Sequence, residues 1–326
     1  MAGDKAAGGL GAIWAGLRHA SRAGLSQMLP ALTQVNQSSG FDCPGCAWPE
    51  SSRRAWIECC ENGVKAVAHE IGAACLTREF FSHWSASALL EQSDRWLEQQ
   101  GRIAEPMILR PGAVRYEPIS WDAAFHRIGE VLRLLESPKE AVFYCSGRAS
   151  NEAAFLYQLF ARQFGTNNLP SSSHFCDESG RAGLAEVIGT GKGTVHLEDF
   201  EKADLILVLG QNPGTCHPRM LNTLAGAVKR GCKVISINPL RELGLARFRR
   251  PGNPFAGAAT LADRFVRVRI GGDIALLKGI MKELLALDNL RPGSVLDREF
   301  ISQHSEGFEE LRRRLADCSF ESLVAQ

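Results

Sequence analysis

A strand–helix–strand pattern between residues 204 and 237 constrains the fold of this chain more than any other feature. The apolar run at 204–210 predicts a strand, residues 218–230 predict a helix that ends at Gly231, and residues 233–237 predict the next strand. Strands that are joined through a helix lie parallel, with a right-handed crossover between them. The sequence therefore predicts an α/β fold with Rossmann-like, doubly wound parallel-sheet units.

Other segments extend this pattern along the chain. Residues 141–145 form an apolar, aromatic run that predicts a strand buried on both faces. Residues 151–164 predict the helix that follows it, with Ser150 or Asn151 as the N-cap. A further amphipathic helix is predicted at 273–287. Strands and helices are thus expected to alternate on both sides of the first pattern.

Two prolines mark a domain boundary. Pro106 and Pro111 interrupt the pattern before the next predicted helix, so a boundary is expected within residues 105–118. The resulting parts are an N-terminal extension at 1–40, a cysteine-containing region at 41–110, the first part of a discontinuous α/β domain at 111–172 and a second, incomplete Rossmann-like domain at 173–326.

Charge and hydropathy exclude several classes of function. With 37 basic and 36 acidic residues, the formal charge is +1, which gives no electrostatic argument for binding nucleic acid or an anionic membrane. The sequence has neither an apolar run of the roughly 20 residues that span a bilayer nor an export signal. We therefore predict a cytoplasmic protein. Its ten cysteines are then better interpreted as metal-binding or redox groups than as a disulfide framework.

Four cysteines near the N-terminus have the arrangement of a metal site. Cys43 and Cys46 form a Cys-x-x-Cys pair, and the adjacent Cys59 and Cys60 follow. Four thiolates suit either zinc or an iron–sulfur cluster, and the spacing does not decide between them. Because neighbouring side chains usually point apart, Cys75 is an alternative fourth ligand.

Two loops are expected to bind phosphate. Residues 146–152 and 211–217 each follow a predicted strand, where a doubly wound sheet presents free backbone N–H groups to a ligand. The alternative is a local structural role, in which Asn212 and Asn238 form turns and Asp273 caps a helix.

Read together, these segments resemble the alpha subunit of molybdopterin-guanine-dinucleotide formate dehydrogenases, and most closely their YdeP-like branch. The resemblance extends from about Ser39 to the last residue. It is carried by the segments at 41–48, 60–66, 146–152, 165–168, 170–179, 210–218 and 238–239. It implies an oxidoreductase that contains Mo-bis(molybdopterin guanine dinucleotide) and a [4Fe-4S] cluster, and that passes two electrons between a small-molecule substrate and the cluster.

The resemblance also implies roles for individual residues. Cys43, Cys46 and Cys60 would bind the cluster, with Cys59 or Cys75 as the fourth ligand, and Lys65 would lie between cluster and pterin as an electron relay. The residues implied to contact the dinucleotide are Arg148, Asn151, Asn168, Asn212, His217, Asn238 and Asp273.

Cys176 aligns with the position that supplies cysteine or selenocysteine to molybdenum, so it is the implied catalytic metal ligand. Asp177 follows it where formate dehydrogenases carry a His. A carboxylate lacks the near-neutral pKa that makes His a ready proton relay, so we expect formate to be a poor substrate.

The family chain continues well beyond the residue that matches Gln326, so we expect only the N-terminal part of such a subunit here. Its partners would be the missing C-terminal half or an electron-transfer subunit. Two alternatives stay open. One is a non-catalytic remnant or a fragment that binds a metal or a partner, and the other is a nucleotide-binding α/β protein with a zinc site.

Overall fold

The computed structural model describes residues 6–46, 48–52, 54–253 and 255–325, which form a mixed structure of helices and strands. Its α-helices are α1 (Gly9–Ala23), α2 (Leu25–Leu32), α3 (Glu61–Ile71), α4 (Arg78–His83), α5 (Ala86–Leu90), α6 (Asp94–Gln99), α7 (Trp121–Arg133), α8 (Asn151–Phe164), α9 (Ser172–Cys176), α10 (Glu178–Ile188), α11 (Pro213–Cys216), α12 (Pro218–Lys229), α13 (Leu243–Ala246), α14 (Asp273–Leu290), α15 (Arg298–His304), α16 (Phe308–Asp317) and α17 (Phe320–Val324). Its strands are β1 (Ala7–Gly8), β2 (Cys75–Leu76), β3 (Arg102–Ile103), β4 (Met107–Ile108), β5 (Glu117–Pro118), β6 (Leu205–Leu209), β7 (Lys233–Ile237), β8 (Phe248–Arg249) and β9 (Arg264–Val266). No described helix has both the length and the apolar character needed to cross a membrane.

The main sheet confirms the predicted strand–helix–strand pattern. Strands β6, β7 and β9 pair in that order and in parallel, and α12 connects the first two. One apolar core joins the sheet to α12, with Val208 and Val234 from the strands packed against Leu221 and Leu224 from the helix. Among the described residues this sheet has three strands. A doubly wound arrangement therefore stays a prediction.

The predicted strand at 141–145 is wrong, because no strand forms there and a single bridge pairs Cys145 with Ser171. This segment is extended beside residues 168–171, with hydrogen bonds from the N–H of Phe143 to the carbonyl of Asn168 and from Cys145 to Pro170. Phe143 is buried against aromatic rings of α8, but Val142 and Tyr144 are more than half exposed. The segment is therefore buried on one face only.

The helix after it forms as predicted. α8 spans Asn151–Phe164, and the Ser150 side chain accepts a hydrogen bond from the N–H of Ala153, which satisfies one of the free donors at the helix start. Its apolar side chains Phe155 and Leu156 are 58% and 63% exposed.

Helix α7 presents a similar uncovered face. Trp121, Phe125, Ile128 and Val131 recur at helical spacing along one side of this helix, and each of them is more than half exposed. Exposed apolar surface of this extent is typical of an interaction face.

A buried carboxylate organises the region after α14. Asp288 is 1% exposed, and it accepts hydrogen bonds from the N–H groups of Gly293, Val295 and Leu296. The guanidinium of Arg298 also donates to it, at 2.7 and 2.9 Å. These interactions, and the Arg298 hydrogen bond most of all, lower the pKa of Asp288 to about 2.

We predict that Asp288→Asn destabilises the chain at neutral pH, because the amide loses the charge and some of the accepting capacity that these donors require. Since the folded-state pKa is lowered, the stabilisation is present above the unfolded value near 3.9 and disappears as pH falls towards 2. Thermal melts over this pH range should show the difference between variant and wild type shrinking. Asp317→Asn, on the exposed surface of α16, is the matched control. An equal melting temperature for Asp288→Asn and wild type at pH 7 would contradict the role assigned to Asp288.

Candidate functional site

Three of the four predicted cysteines gather around Gly63, near the start of α3. A Cβ on Gly63 would lie 3.1 Å from Cys43 Sγ, 3.4 Å from Cys59 Cβ and 4.0 Å from Cys60 Sγ. The N–H of Gly45 donates to Cys43 Sγ at 3.4 Å. Glycine at position 63 therefore leaves the space that the thiols occupy.

A buried asparagine fixes the two cysteine segments relative to each other. Asn36 is 2% exposed and has a φ of 57°, a left-handed conformation that Asn tolerates better than most residues. Its side-chain carbonyl accepts from the N–H of Cys43 at 2.8 Å, and its amide donates to the carbonyl of Glu58 at 2.7 Å. One side chain thus holds the chain at Cys43 and just before Cys59.

The structure brings Cys59, and not Cys75, to the other cysteines. Cys59 interacts electrostatically with Cys43 and Cys60, and Cys46 interacts with Cys60. Cys75 lies exposed in β2, which pairs with β3. Within the described part of the chain, no three Cys, His, Asp or Glu side chains converge tightly enough to hold a single metal ion.

Burial changes the acidity of the adjacent cysteines. Loss of solvation raises the pKa of Cys59 to about 12 and that of Cys60 to about 11. Both thiols are therefore protonated at neutral pH, and a metal would have to displace their protons in order to bind.

The Cys-x-x-Cys loop and one predicted phosphate loop line the same cavity. This cavity has a volume of about 630 Å³, and Cys43 and Cys46 face Ser146, Gly147 and Arg148 across it. A Cβ on Gly147 would lie 3.0 Å from the hydroxyl of Ser172, which also lines the cavity. Among the described residues, Arg148 is the one basic residue in this lining, which also contains the acidic residues Asp42 and Glu50.

The implied catalytic pair, Cys176 and Asp177, does not line this cavity. Cys176 is the last residue of α9, whose first residue is Ser172, and its thiol is exposed. Asp177 separates α9 from α10 and is exposed as well. The structure therefore connects Cys176 to the cavity through one short helix.

A second contact joins the cysteine segment to the loop after β6. The amide of Asn62 donates to the carbonyl of Thr215 at 2.8 Å. The guanidinium of Arg219, only 12% exposed, donates to carboxylates of Glu50 at 3.2 Å and Glu58 at 2.8 Å, and to the carbonyl of Trp48. These two contacts dock the cysteine segment on α11 and α12.

The sequence analysis did not predict a role for Asn36 or Arg219. Asn36 carries no motif, and Arg219 has its acidic partners more than 160 residues earlier. The available signal at Arg219 is its position next to Pro218 at a helix start, which does not identify the partners.

The predicted dinucleotide residues fall into two groups. Asn212, Asn238 and Asp273 follow β6, β7 and β9 and therefore lie towards the same edge of the parallel sheet, and His217 precedes α12. Asn151 is the first residue of α8, beside the Arg148 loop.

Three of the predicted amides already make structural hydrogen bonds. Asn212 caps α11 by accepting from the N–H of Thr215, and Asn238 donates to Glu242 at 3.1 Å. Asn168 donates to the carbonyls of residues 139 and 141. Of the local roles left open by the sequence, a hydrogen-bonding role is present at Asn212 and Asn238, whereas Asp273 forms no side-chain cap at the start of α14.

Lys65 lies outside the cavity that contains Cys43 and Arg148. Its ammonium is 2.9 Å from Glu98 on α6, and it lines a different cavity from the one that contains Cys43 and Arg148.

Comparison with known proteins gives consistent matches. The family model described as molybdopterin oxidoreductase matches residues 102–286. An uncharacterized oxidoreductase of Mycobacterium tuberculosis is 50% identical over 323 residues, which are 98% of this chain and 42% of that protein. Protein YdeP of Escherichia coli is 47% identical over 98% of this chain and 43% of its own length. Formate dehydrogenase H of Escherichia coli is 30% identical over 68% of this chain and 29% of its own length.

A solved structure has a similar fold. Acetylene hydratase from Pelobacter acetylenicus superposes with a TM-score of 0.51 at 23% identity, over 68% of this chain and 28% of the hydratase. The chain spans about 42% of the length of the first curated relatives that it matches.

We predict that Arg219→Met lowers the free energy of unfolding by about 3 kcal/mol, because it leaves the carboxylates of Glu50 and Glu58 without their cation in a largely buried place. Urea denaturation would measure this change. Arg313→Met removes an exposed ion pair with Glu310 and should cost at most about 1 kcal/mol. Equal losses in the two variants would show that the Arg219 contacts do not hold the cysteine segment in place.

Proposed function

The chain belongs to the molybdopterin oxidoreductase family, and on that basis we propose that it forms the cluster-binding part of an oxidoreductase alpha subunit and one wall of its cofactor site. The observation that carries this proposal is the cavity shared by the Cys-x-x-Cys loop and the loop that contains Arg148. Two cofactors in electronic contact require two binding segments that face each other, and the two loops proposed to bind them line this one cavity.

We propose that Cys43, Cys46, Cys59 and Cys60 bind a [4Fe-4S] cluster. Thiols are the donors that such clusters use, and the glycine at position 63 leaves room where a side chain would press on Cys43. The cluster would supply electron transfer. Cys59 is the preferred fourth ligand because it lies beside Gly63, whereas Cys75 is in an exposed strand pair.

The second cofactor in this proposal is Mo-bis(molybdopterin guanine dinucleotide), whose metal would supply the two-electron chemistry. Arg148 presents a guanidinium to the cavity, and guanidinium groups bind phosphate through paired hydrogen bonds. The remaining proposed contacts are Asn151, Asn168, Asn212, His217, Asn238 and Asp273. All of them except Asn168, which lies between α8 and α9, lie at helix starts or after parallel strands, where backbone donors would face phosphate.

In the proposed catalytic site, Cys176 supplies the protein thiolate to molybdenum. Asp177 places a carboxylate next to it. A negative charge there disfavours an anionic substrate such as formate, so the proposed substrate is a small neutral molecule. Lys65, whose ammonium pairs with Glu98, remains the proposed electron relay.

We further propose that another polypeptide segment completes the catalytic unit. The apolar faces of α7 and α8 are exposed, and the relatives are more than twice as long as this chain. Such faces are stable when another element packs on them.

We predict that Cys43→Ser and Cys46→Ser each abolish iron binding in protein reconstituted under anaerobic conditions, because a hydroxyl is a poor replacement for a thiolate ligand. Iron analysis and the broad visible absorption of the cluster would measure the loss. Cys318→Ser is the control, because Cys318 lies far from the proposed cluster ligands in sequence. Cys59→Ser should lower iron content and Cys75→Ser should not. Unchanged iron in Cys43→Ser and Cys46→Ser would exclude the cluster site, and stoichiometric zinc in place of iron would favour a zinc-binding protein.

For the catalytic pair, the test requires the chain together with the remaining portion that its relatives carry. Cys176→Ala should remove most of the activity and leave the iron content intact. Asp177→His should raise formate turnover by on the order of 10²-fold, since it removes a negative charge and adds a proton relay. Rapid formate oxidation with Asp177 in place would contradict the role proposed for this carboxylate, and full activity in Cys176→Ala would remove Cys176 from the metal site.

A further inference from the structure

A second cavity, of about 1180 Å³, lies between α1, α3 and α6 and carries a strong excess of positive charge. It is separate from the cavity beside the Cys-x-x-Cys loop, and no role has been assigned to it above. The charged and titratable residues that line it are Arg18, His19, Arg22, Lys65, His69, Asp94, Arg95, Glu98 and Arg102.

Helical spacing explains why these side chains meet. Arg18 and Arg22 are four residues apart on α1, as are Lys65 and His69 on α3, so each pair projects from one side of its helix. The two helices pack closely, because Gly16 of α1 has no side chain where it meets α3. The two cationic pairs therefore face the same space.

The lining has more cations than its own carboxylates neutralise. Lys65 pairs with Glu98 at 2.9 Å, and Arg102 pairs with Glu70 at 3.5 Å. In the described part of the chain, the guanidinium groups of Arg22 and Arg95 donate to the neutral side-chain oxygen of Gln99 at 3.2 Å, and neither these groups nor that of Arg18 forms an ion pair with a carboxylate. For a chain with a formal charge of +1, this is a marked local concentration of positive charge.

One of these guanidinium groups also has an unsatisfied donor. The Nε atom of Arg18 is inaccessible to solvent and has no hydrogen-bond partner among the described residues. Because this Nε atom is closed off from solvent, an anion in the cavity would bind Arg18 through the terminal nitrogens of its guanidinium group.

We propose that this cavity binds a phosphate group, either free or on a small molecule, through Arg18, Arg22 and Arg95. Guanidinium groups form paired hydrogen bonds to phosphate, and three of them match the charge of a phosphate dianion better than that of a single carboxylate. The cations line the wall of a cavity and not a convex surface, which favours a small anion over a nucleic acid or an acidic protein. This site is independent of the cofactors proposed above.

A histidine in the cavity provides a spectroscopic readout. Burial lowers the pKa of His19, and the nearby charges of Lys65, Arg18, His69 and Arg22 lower it further, while the carboxylate of Glu98 on α6 opposes them. A bound phosphate would add negative charge beside this imidazole. The pKa of His19 should therefore rise when phosphate binds.

The test is calorimetric titration of the purified chain at low ionic strength with inorganic phosphate, inorganic pyrophosphate and ribose 5-phosphate. We expect saturable binding with a Kd of about 0.1 mM or lower for at least one of them. Arg95→Gln should weaken binding by about tenfold or more, and so should Arg18→Gln. Arg127→Gln, on the exposed surface of α7, is the control and should bind as the wild type does.

Arg95 is exposed, so Arg95→Gln keeps the test valid if Arg18→Gln fails to fold. NMR titration of His19 with and without phosphate should show a higher pKa in its presence, and this rise should be absent in Arg95→Gln. Tighter binding of ribose 5-phosphate than of inorganic phosphate would support a phosphorylated small molecule as the ligand, and the reverse would support the free anion. Absence of saturable binding, or equal weakening in Arg95→Gln and Arg127→Gln, would overturn the proposal.

Discussion

The arrangement of this molecule depends on one buried guanidinium. Arg219, at the start of α12, binds two carboxylates and a backbone carbonyl of the segment that leads to Cys59. Because α12 is itself packed against β6 and β7, the cysteine segment takes its position from the sheet. The proposed cluster segment is therefore linked to the proposed dinucleotide contact His217, which directly precedes the same helix.

Local signals predicted the elements well. The ends of α8 and the bounds of β7 follow from caps, glycines and apolar periodicity, all of which are contained within the segments themselves. Residues 141–145 show the limit of such signals. An apolar run there has the composition of a central strand, but burial on a second face depends on neighbours that a short segment does not encode.

The sequence supplies the proposed ligands of the candidate site but not the residues that support them. Cysteine spacing predicts Cys43 and Cys46 as ligands, and the resemblance predicts a role for the loop of Arg148. Asn36 and Arg219 act through partners distant in sequence, so no periodicity marks them. The basic cavity is a similar case. The sequence shows basic residues four positions apart on α1 and on α3, but it does not show that the packing of the two helices brings them together.

Asn36 has a consequence for how this sequence can vary. Its position requires a left-handed backbone, a donor for the carbonyl of Glu58 and an acceptor for the N–H of Cys43, all without solvent. Glycine meets only the requirement for a left-handed backbone conformation. Aspartate keeps the hydrogen-bond acceptor, but it buries a charge and loses the donor. Asparagine is the standard amino acid that best meets all three requirements, so position 36 is expected to resist drift even where the surrounding polar residues change freely.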